Sequence, residues 1–357
     1  MLHSRLRPLP RLPTTTSTST STTTSTAPPP TFDDNDTNNT DYDYEDLFTS
    51  FLPHLFPDDA PSFHGDPGQR LLYESPRYGP LTIMVPSYPG ESEKPNDEVA
   101  AGTTGSSVEE RRKLFAHFLW SAAMVVAEGI EDADAHDALG DVDGDKRMWK
   151  VKGKSVLELG AGVFLFILCL KCIYANNVGA ALPSLIAALA HASTVTITDH
   201  PFSPAFTSAI PFNITNIPPN NQCKIDIHPH EWGTLSTDPW TTAHKNTYTR
   251  IIAADCFWMR SQHANLVRTM RWFLAPGGRV WVVAGFHTGR AVVAGFFEEA
   301  VAGGFTVEKI YERDLNAEGV NGGEVRRRWM VEREGVENRK RWCVVAVLAR
   351  TGTEPDT

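Results

Sequence analysis

Apolar positions along the chain fall into short runs of two alternating kinds. Ser155–Leu159, Thr194–Thr198, Lys224–His228, Arg250–Ala254 and Val280–Ala284 are strand-length stretches rich in Val, Ile and Leu, bounded by Gly, Pro, Asn or Asp. Between them, Ala180–Ala190, Ala205–Asn216, Gln262–Leu274 and Val292–Ala302 predict helices; Leu266, Met270, Phe273 and Leu274 share one face of the third. Strands alternating with helices predict a mostly parallel α/β sheet covered on both faces. Two late strands, Phe305–Tyr311 and Trp342–Leu348, have no helical pattern between them, which predicts an antiparallel hairpin at one edge. Upstream, Arg70–Glu74 and Leu81–Val85 read as short strands around the turn SPRYGP. Ser107 with Glu110 forms a capping box, and Phe115, Phe118, Leu119, Ala122, Ala123 and Val126 continue one apolar helical face to about Glu128.

The alternation breaks at one place. VLELGAG (Val156 to Gly162) is a strand entering a glycine turn, after which a helix N-terminus should follow closely to aim its dipole at a ligand. Instead an apolar run, Val163 to Gly179, precedes the expected helix. Glu158 lies 41 positions before Asp199, and 24 with those seventeen residues left out; the second spacing suits an acid reaching a ribose hydroxyl. A surface loop is polar and loops on this turn are short, so the run reads as an anomalous insertion, a translated intron or a gene-model error. The alternative is a genuine chain whose displaced glycine loop leaves a binding module without turnover.

Composition narrows the class. A net charge of −10 argues against a general nucleic-acid binder, and five cysteines without an even framework point to a reducing compartment, hence the cytoplasm. Cys169 and Cys172 form the only C-x-x-C pair, too little for zinc, and no metal site is expected. The Ser/Thr/Pro-rich residues 1–45 read as a disordered tail, as do 351–357, leaving 46–350 as the domain. Arg5, Arg7 and Arg11 with no acid before Asp33 give a weak mitochondrial alternative, against which Pro8, Pro10 and Pro13 would break the amphipathic helix of a transit peptide. The apolar part of the insertion is too short to span a bilayer. The acidic stretch Glu128–Asp145 contains DVDGD, but calcium-loop register would put Leu139 and Lys150 where carboxylates are required, so it reads as a solvated loop.

The candidate chemistry gathers at the carboxyl ends of the predicted strands, where ligands bind in open α/β sheets. Glu158, Gly160 and Gly162 make E-x-G-x-G, short of a full dinucleotide fingerprint, while Asp199 and Asp255 close the second and fourth strands of the series. Three carboxylates at one edge suit a ligand with hydroxyls and an amine. His117, His230 and His263 read as plain polar positions. A nicotinamide-dinucleotide oxidoreductase would use the same strand, turn and acid but lacks the third glycine.

With LFAHFLWSAAMVVAEGI (Leu114 to Ile130), VLELGAG, VTITDHP, HEWG (His230 to Gly233) and the run from Ile251 to Gly278, the chain resembles the class I S-adenosylmethionine-dependent methyltransferases. More narrowly it resembles their lysine-methyltransferase-like branch, which includes fungal nicotinamide N-methyltransferase-like proteins. The resemblance implies a Rossmann-like seven-stranded sheet and S-adenosyl-L-methionine as cofactor. It places Glu158, Gly160 and Gly162 around the methionine part, Asp199 on the ribose, Trp232 on the adenine and Trp120 near the methionine end. Asp255, flanked by Phe257 and Trp258, falls at the methyl-acceptor channel and is the candidate catalytic residue. The implied reaction is N-methylation of a protein amine, a lysine or an N-terminus, with a small molecule such as nicotinamide as the alternative acceptor. The acidic surface favours a basic protein partner, a translation factor among the possibilities, and nothing in the sequence bears on oligomeric state.

Overall fold

The computed structural model describes residues 2–10, 63–86, 119–139, 147–160, 180–319, 323–333 and 335–352. Its centre is a sheet whose parallel part is built from β6 (Ser155–Leu159), β7 (Thr194–Asp199), β8 (Lys224–Pro229), β9 (Tyr248–Ala254) and β10 (Leu274–Gly285). The later strands β11 (Phe305–Glu318), β12 (Glu324–Arg327) and β13 (Trp342–Arg350) complete it in the order β12-β11-β13-β10-β9-β6-β7-β8. The expected hairpin of late strands is present but not at the edge: β13 is inserted antiparallel between β10 and β11, and β12 forms the rim. The order in which successive strands are added reverses at β6, which lies between β7 and β9 and parallel to both, and this makes the carboxyl ends of those strands the switch point of the sheet.

The near-continuous apolar character of the inner strands follows from burial on both faces. Along β10, Trp281 and Val283 join one core cluster while Val280, Val282 and Ala284 join the other. Strand β13 alternates in the same way, with Cys343, Val345 and Val347 against Trp342, Val344, Ala346 and Leu348. One face is covered by α1 (Ser121–Leu139), α2 (Leu182–Leu189) and α3 (Ala209–Ile214), and by a small sheet of β1 (Leu6–Pro8), β3 (Arg70–Ser75) and β4 (Gly79–Met84). The other face carries α5 (His263–Phe273) and α6 (Arg290–Ala302), with the short α4 (Pro239–Ala243) beside α5 and α7 (Val336–Arg341) leading into β13.

Several expectations need correction. Residues 2–10 are not an unstructured tail: β1 pairs antiparallel with β3, Leu6 opposite Tyr73, and Leu2 is 3% exposed. Residues 11–45 and 353–357 lie outside the described residues. Of the helix expected from Ser107, residues 107–118 lie outside the described residues; Leu119 and Trp120 form β5, paired with β2 (Phe63–His64), and α1 begins at Ser121. It then runs to Leu139, through much of the stretch expected to be a solvated loop. Its acids are paired rather than solvated: Glu128 and Glu131 meet Arg5 at 2.7 and 2.8 Å, Asp134 meets Arg77 at 2.9 Å, and Asp137 meets Lys150 at 2.5 Å. DVDGD falls outside the described residues. The helix expected over 205–216 divides into a turn at Pro204–Phe206, which Pro204 opens, and α3, which carries Pro211 in its first turn, where the missing N–H costs no intrahelical bond.

Candidate functional site

The residues singled out at the carboxyl edge do come together. Glu158, the fourth residue of β6, is 7% exposed, and its Oε2 accepts a hydrogen bond from Ser184 N at 3.0 Å. This contact has a local cause. Helix α2 starts after Ala181, which has no side-chain acceptor and sits in the left-handed region at φ 54°, so the carboxylate from the preceding strand caps the helix instead. The helix N-terminus therefore lies beside the end of β6, where it would lie if residues 163–179 were absent. Those residues, with Gly162, Cys169 and Cys172, are outside the described residues. Burial pushes the Glu158 carboxyl up to about 7, against the opposing pull of the Ser184 hydrogen bonds.

Gly160 is required by crowding from the next strand. A Cβ there would stand 2.7 Å from the Thr198 carbonyl oxygen and 2.8 Å from the Asp199 carboxyl carbon, and its own N–H donates to that carbonyl at 2.7 Å. Asp199, 3% exposed, accepts from His200 N at 2.7 Å through Oδ1 and from Ser203 Oγ at 2.9 Å through Oδ2. Glu158, Gly160, Ala181, Thr198, Asp199 and Ile210 surround a depression of about 210 Å³ that opens to solvent.

Asp255 follows β9 directly and is 4% exposed. It adopts φ 54°, a conformation aspartate tolerates better than most residues, while its N–H donates to Val283 O at 2.8 Å and its Oδ1 accepts from Gly285 N at 2.9 Å. The carboxylate thus braces the ends of β9 and β10. Burial raises its pKa, and His287, 4.0 Å away, opposes that rise. Trp120 on β5 is 7% exposed and stacks on the His287 ring, with centroids 4.7 Å apart.

The other sequence candidates separate. Trp232, 4% exposed, lies in the loop after β8, which Gly233 N bolts to Thr269 of α5 at 2.9 Å; its ring belongs to the core beneath that helix. Phe257 does not line a channel: its ring stacks on Phe296 with centroids 3.8 Å apart, inside the second core. His263 is buried and meets the Phe257 carbonyl at 2.8 Å, as a plain structural histidine would. His230 is buried as well, and His117 is outside the described residues. Among the described residues no group of three or more His, Cys, Asp or Glu could hold a metal ion. His287 escaped the sequence reading because it belongs to no motif; the signal that could have found it is its place two residues beyond a strand end at the ligand edge.

A strand order with the reversal at β6, an inserted antiparallel β13 and acids closing β6, β7 and β9 defines a Rossmann-like class I methyltransferase. The sequence profile described as lysine methyltransferase matches residues 106–300, more than half of the chain, and the chain belongs to that family. It is 29% identical over 218 residues to the protein N-terminal and lysine N-methyltransferase EFM7 of Gibberella zeae, covering 56% of this chain and 70% of that protein. The EFM7 protein of Schizosaccharomyces pombe is 24% identical over 237 residues, covering 64% and 75%. Among solved structures, a TehB-like SAM-dependent methyltransferase from Corynebacterium glutamicum is a distant likeness, at 14% identity and a TM-score of 0.36 over 64% of this chain and 98% of that one.

Proposed function

We propose that this chain transfers a methyl group from S-adenosyl-L-methionine to an amine of a protein, a lysine side chain or an N-terminus. The observation that carries the reading is a pair of buried carboxylates, Glu158 and Asp255, at the switch point of the sheet, with no arginine or lysine against either among the described residues. Such a site lacks positive charge, and the proposed ligands bring it: a sulfonium and an ammonium on the donor, an amine on the acceptor. Membership of the lysine methyltransferase family and the names of the EFM7 relatives support a protein amine over a small molecule such as nicotinamide.

In this reading Glu158 and Gly160 hold the methionine part of the donor, with Gly162 beside them. Asp199 takes the ribose hydroxyls, an edge of Trp232 meets the adenine, and Trp120 closes the methionine end. The donor, when bound, supplies a methyl group already activated by the sulfonium. The protein's part is to hold the amine in line, keep water out and remove a proton. Asp255 orients the acceptor. A net charge of −10 suits a basic partner such as a translation factor, and cytoplasmic residence fits the cysteine usage. No helix among the described residues is long and apolar enough to cross a membrane.

The test is calorimetric binding of S-adenosyl-L-methionine to the full chain, as it stands and with Val163–Gly179 removed. The N-terminus is retained because β1 is part of the fold. Binding by the shortened chain, followed by a mass increase of one methyl on a basic peptide, supports the reading and marks the seventeen residues as foreign to it. Binding by both makes those residues a tolerated insertion. Two folded proteins that both fail to bind would overturn the proposal in favour of a donor-free relative.

A further inference from the structure

The loop after β10 brings a second titratable group to Asp255. His287 turns its ring onto the Trp120 indole, with planes 27° apart, and its Nδ1 is buried without a hydrogen-bond partner, 4.0 Å from Asp255 Oδ1. The junction is crowded: a Cβ at Gly285 would stand 3.3 Å from His287 Nδ1 and 3.8 Å from Asp255 Oδ1. The side chain as a whole is 20% exposed. With Nδ1 turned inward, the accessible part is left to the Nε2 edge.

Residues on either side pin this loop. Phe286 is fully buried and stacks on Trp329, with centroids 5.6 Å apart. Arg290 lies 3.8 Å over the Phe286 ring and forks onto Glu312 at 2.6 and 3.0 Å. Gly289 N closes the turn by donating to Phe286 O at 2.9 Å. A histidine on a loop fixed in this way is pre-organised, as a group that must meet a reacting atom needs to be.

We propose that His287 is the base that takes the proton from the acceptor amine, through Nε2, with Asp255 acting as the positioning carboxylate on its Nδ1 side. This rests on the methyltransferase reading above and names the proton acceptor within the same site. An alkylammonium has no lone pair with which to attack, so one of its protons passes to Nε2 first. The freed lone pair then forms the N–C bond as the C–S bond breaks, the electron pair of that bond staying on sulfur. The imidazolium, with Asp255 beside it, gives its proton to water once the product has left. The arrangement repeats the logic of a base oriented by a carboxylate on its far nitrogen.

The charge state agrees with the role. Burial lowers the His287 pKa below the usual histidine value, against the opposing pull of Asp255, so the ring is neutral and able to accept at neutral pH. Of the elements packed against the ring, the end of β9 contributes Asp255, which titrates; β5 contributes Trp120 and β10 contributes Gly285, which do not.

The experiment follows methyl transfer by the full-length wild type, His287→Gln and Asp255→Asn to a basic peptide with a single lysine, across pH. For His287→Gln, kcat should fall by about 10²- to 10⁴-fold, while donor binding by calorimetry keeps its wild-type value. Wild-type kcat should level off above the imidazole ionisation, whereas the Gln variant should keep rising with pH until the peptide amine itself ionises. Asp255→Asn should move the ionisation in the rate profile to lower pH, because the imidazolium loses its neighbouring negative charge. A folded His287→Gln enzyme with an unchanged profile, or an Asp255→Asn profile that does not move, overturns the assignment while leaving the methyltransferase reading in place. A wild type that binds the donor and methylates no amine overturns both. Should the Gln variant not fold, the Asp255→Asn profile decides alone.

Discussion

Glu158 and Asp255, at the carboxyl ends of β6 and β9, are buried with no cationic side chain against them among the described residues, whereas Glu312, on β11 of the same sheet, is ringed by arginines. Arg290 forks onto it, Arg327 Nε donates at 2.6 Å and Arg333 lies at 3.3 Å. The consequences are opposite. For all three carboxyls burial pushes the pKa up; at Glu312 the arginines reverse that and hold it below the ordinary value, while at Glu158 and Asp255 the rise remains. Glu128, between Arg5 and Arg313, behaves like Glu312. Glu131 is intermediate, since Arg5 reaches one oxygen while the other is buried without a partner, and burial keeps its pKa at about 7. A buried carboxylate neutralised by its own chain is scaffold. One left without a counter-charge at a ligand edge has its counter-charge still to come.

The most disruptive way to probe that contrast is Glu312→Ala. It removes the carboxylate onto which Arg290, itself 1% exposed, forks with both terminal nitrogens, and should cost about 3–5 kcal/mol in denaturant unfolding. Glu158→Gln should do the reverse to the fold, since the neutral amide relieves a buried charge, while weakening donor binding by roughly 5- to 150-fold, about 1–3 kcal/mol for a charged hydrogen bond.

The same variant has a pH signature. The unfolded chain releases the Glu158 proton near its ordinary value of 4.5 and the folded chain only near 7. Between those values the folded state holds more protons, so this group lowers stability as pH rises through that window. Urea midpoints measured against pH should therefore decline less in Glu158→Gln than in the wild type. Glu312 and Glu128 have the opposite sign, contributing stability above their ordinary value that is lost as pH falls through their lowered folded values. The smallest effect belongs to Arg7→Ala. Its pair with Glu74 is exposed, 63% and 40%, and melting should move by no more than about 0.5 kcal/mol equivalent.

The central sheet was legible in the sequence because strands buried on both faces are written as local apolar runs, and the acids that close β6, β7 and β9 stand next to those runs. What escaped depends on distant partners. Glu128, Glu131, Asp134 and Asp137 look like a solvated stretch until Arg5, Arg313, Arg77 and Lys150 are brought to them from other segments. The pairing of Leu6 with Tyr73 spans a gap that no periodicity crosses. His287 lies 32 positions beyond Asp255 in the chain, and only the parallel register of β9 and β10, Ala254 opposite Val283, sets their ends side by side. Gly160 was expected for a reason that changed on folding: the strand end at Thr198 and Asp199 already fills the space a side chain would need.

The position of β13 has a consequence for how the chain is made. Strand β13, made after β10, β11 and β12, is inserted between β10 and β11, not added to a rim. Until Trp342–Arg350 has been synthesised, the β11–β12 hairpin has no link to the rest of the sheet and the edge of β10 stays open, so the nascent chain carries two exposed strand edges until β13 is made. A premature stop anywhere before Trp342 would not trim the protein but divide its sheet, leaving a product fit for quality-control proteases.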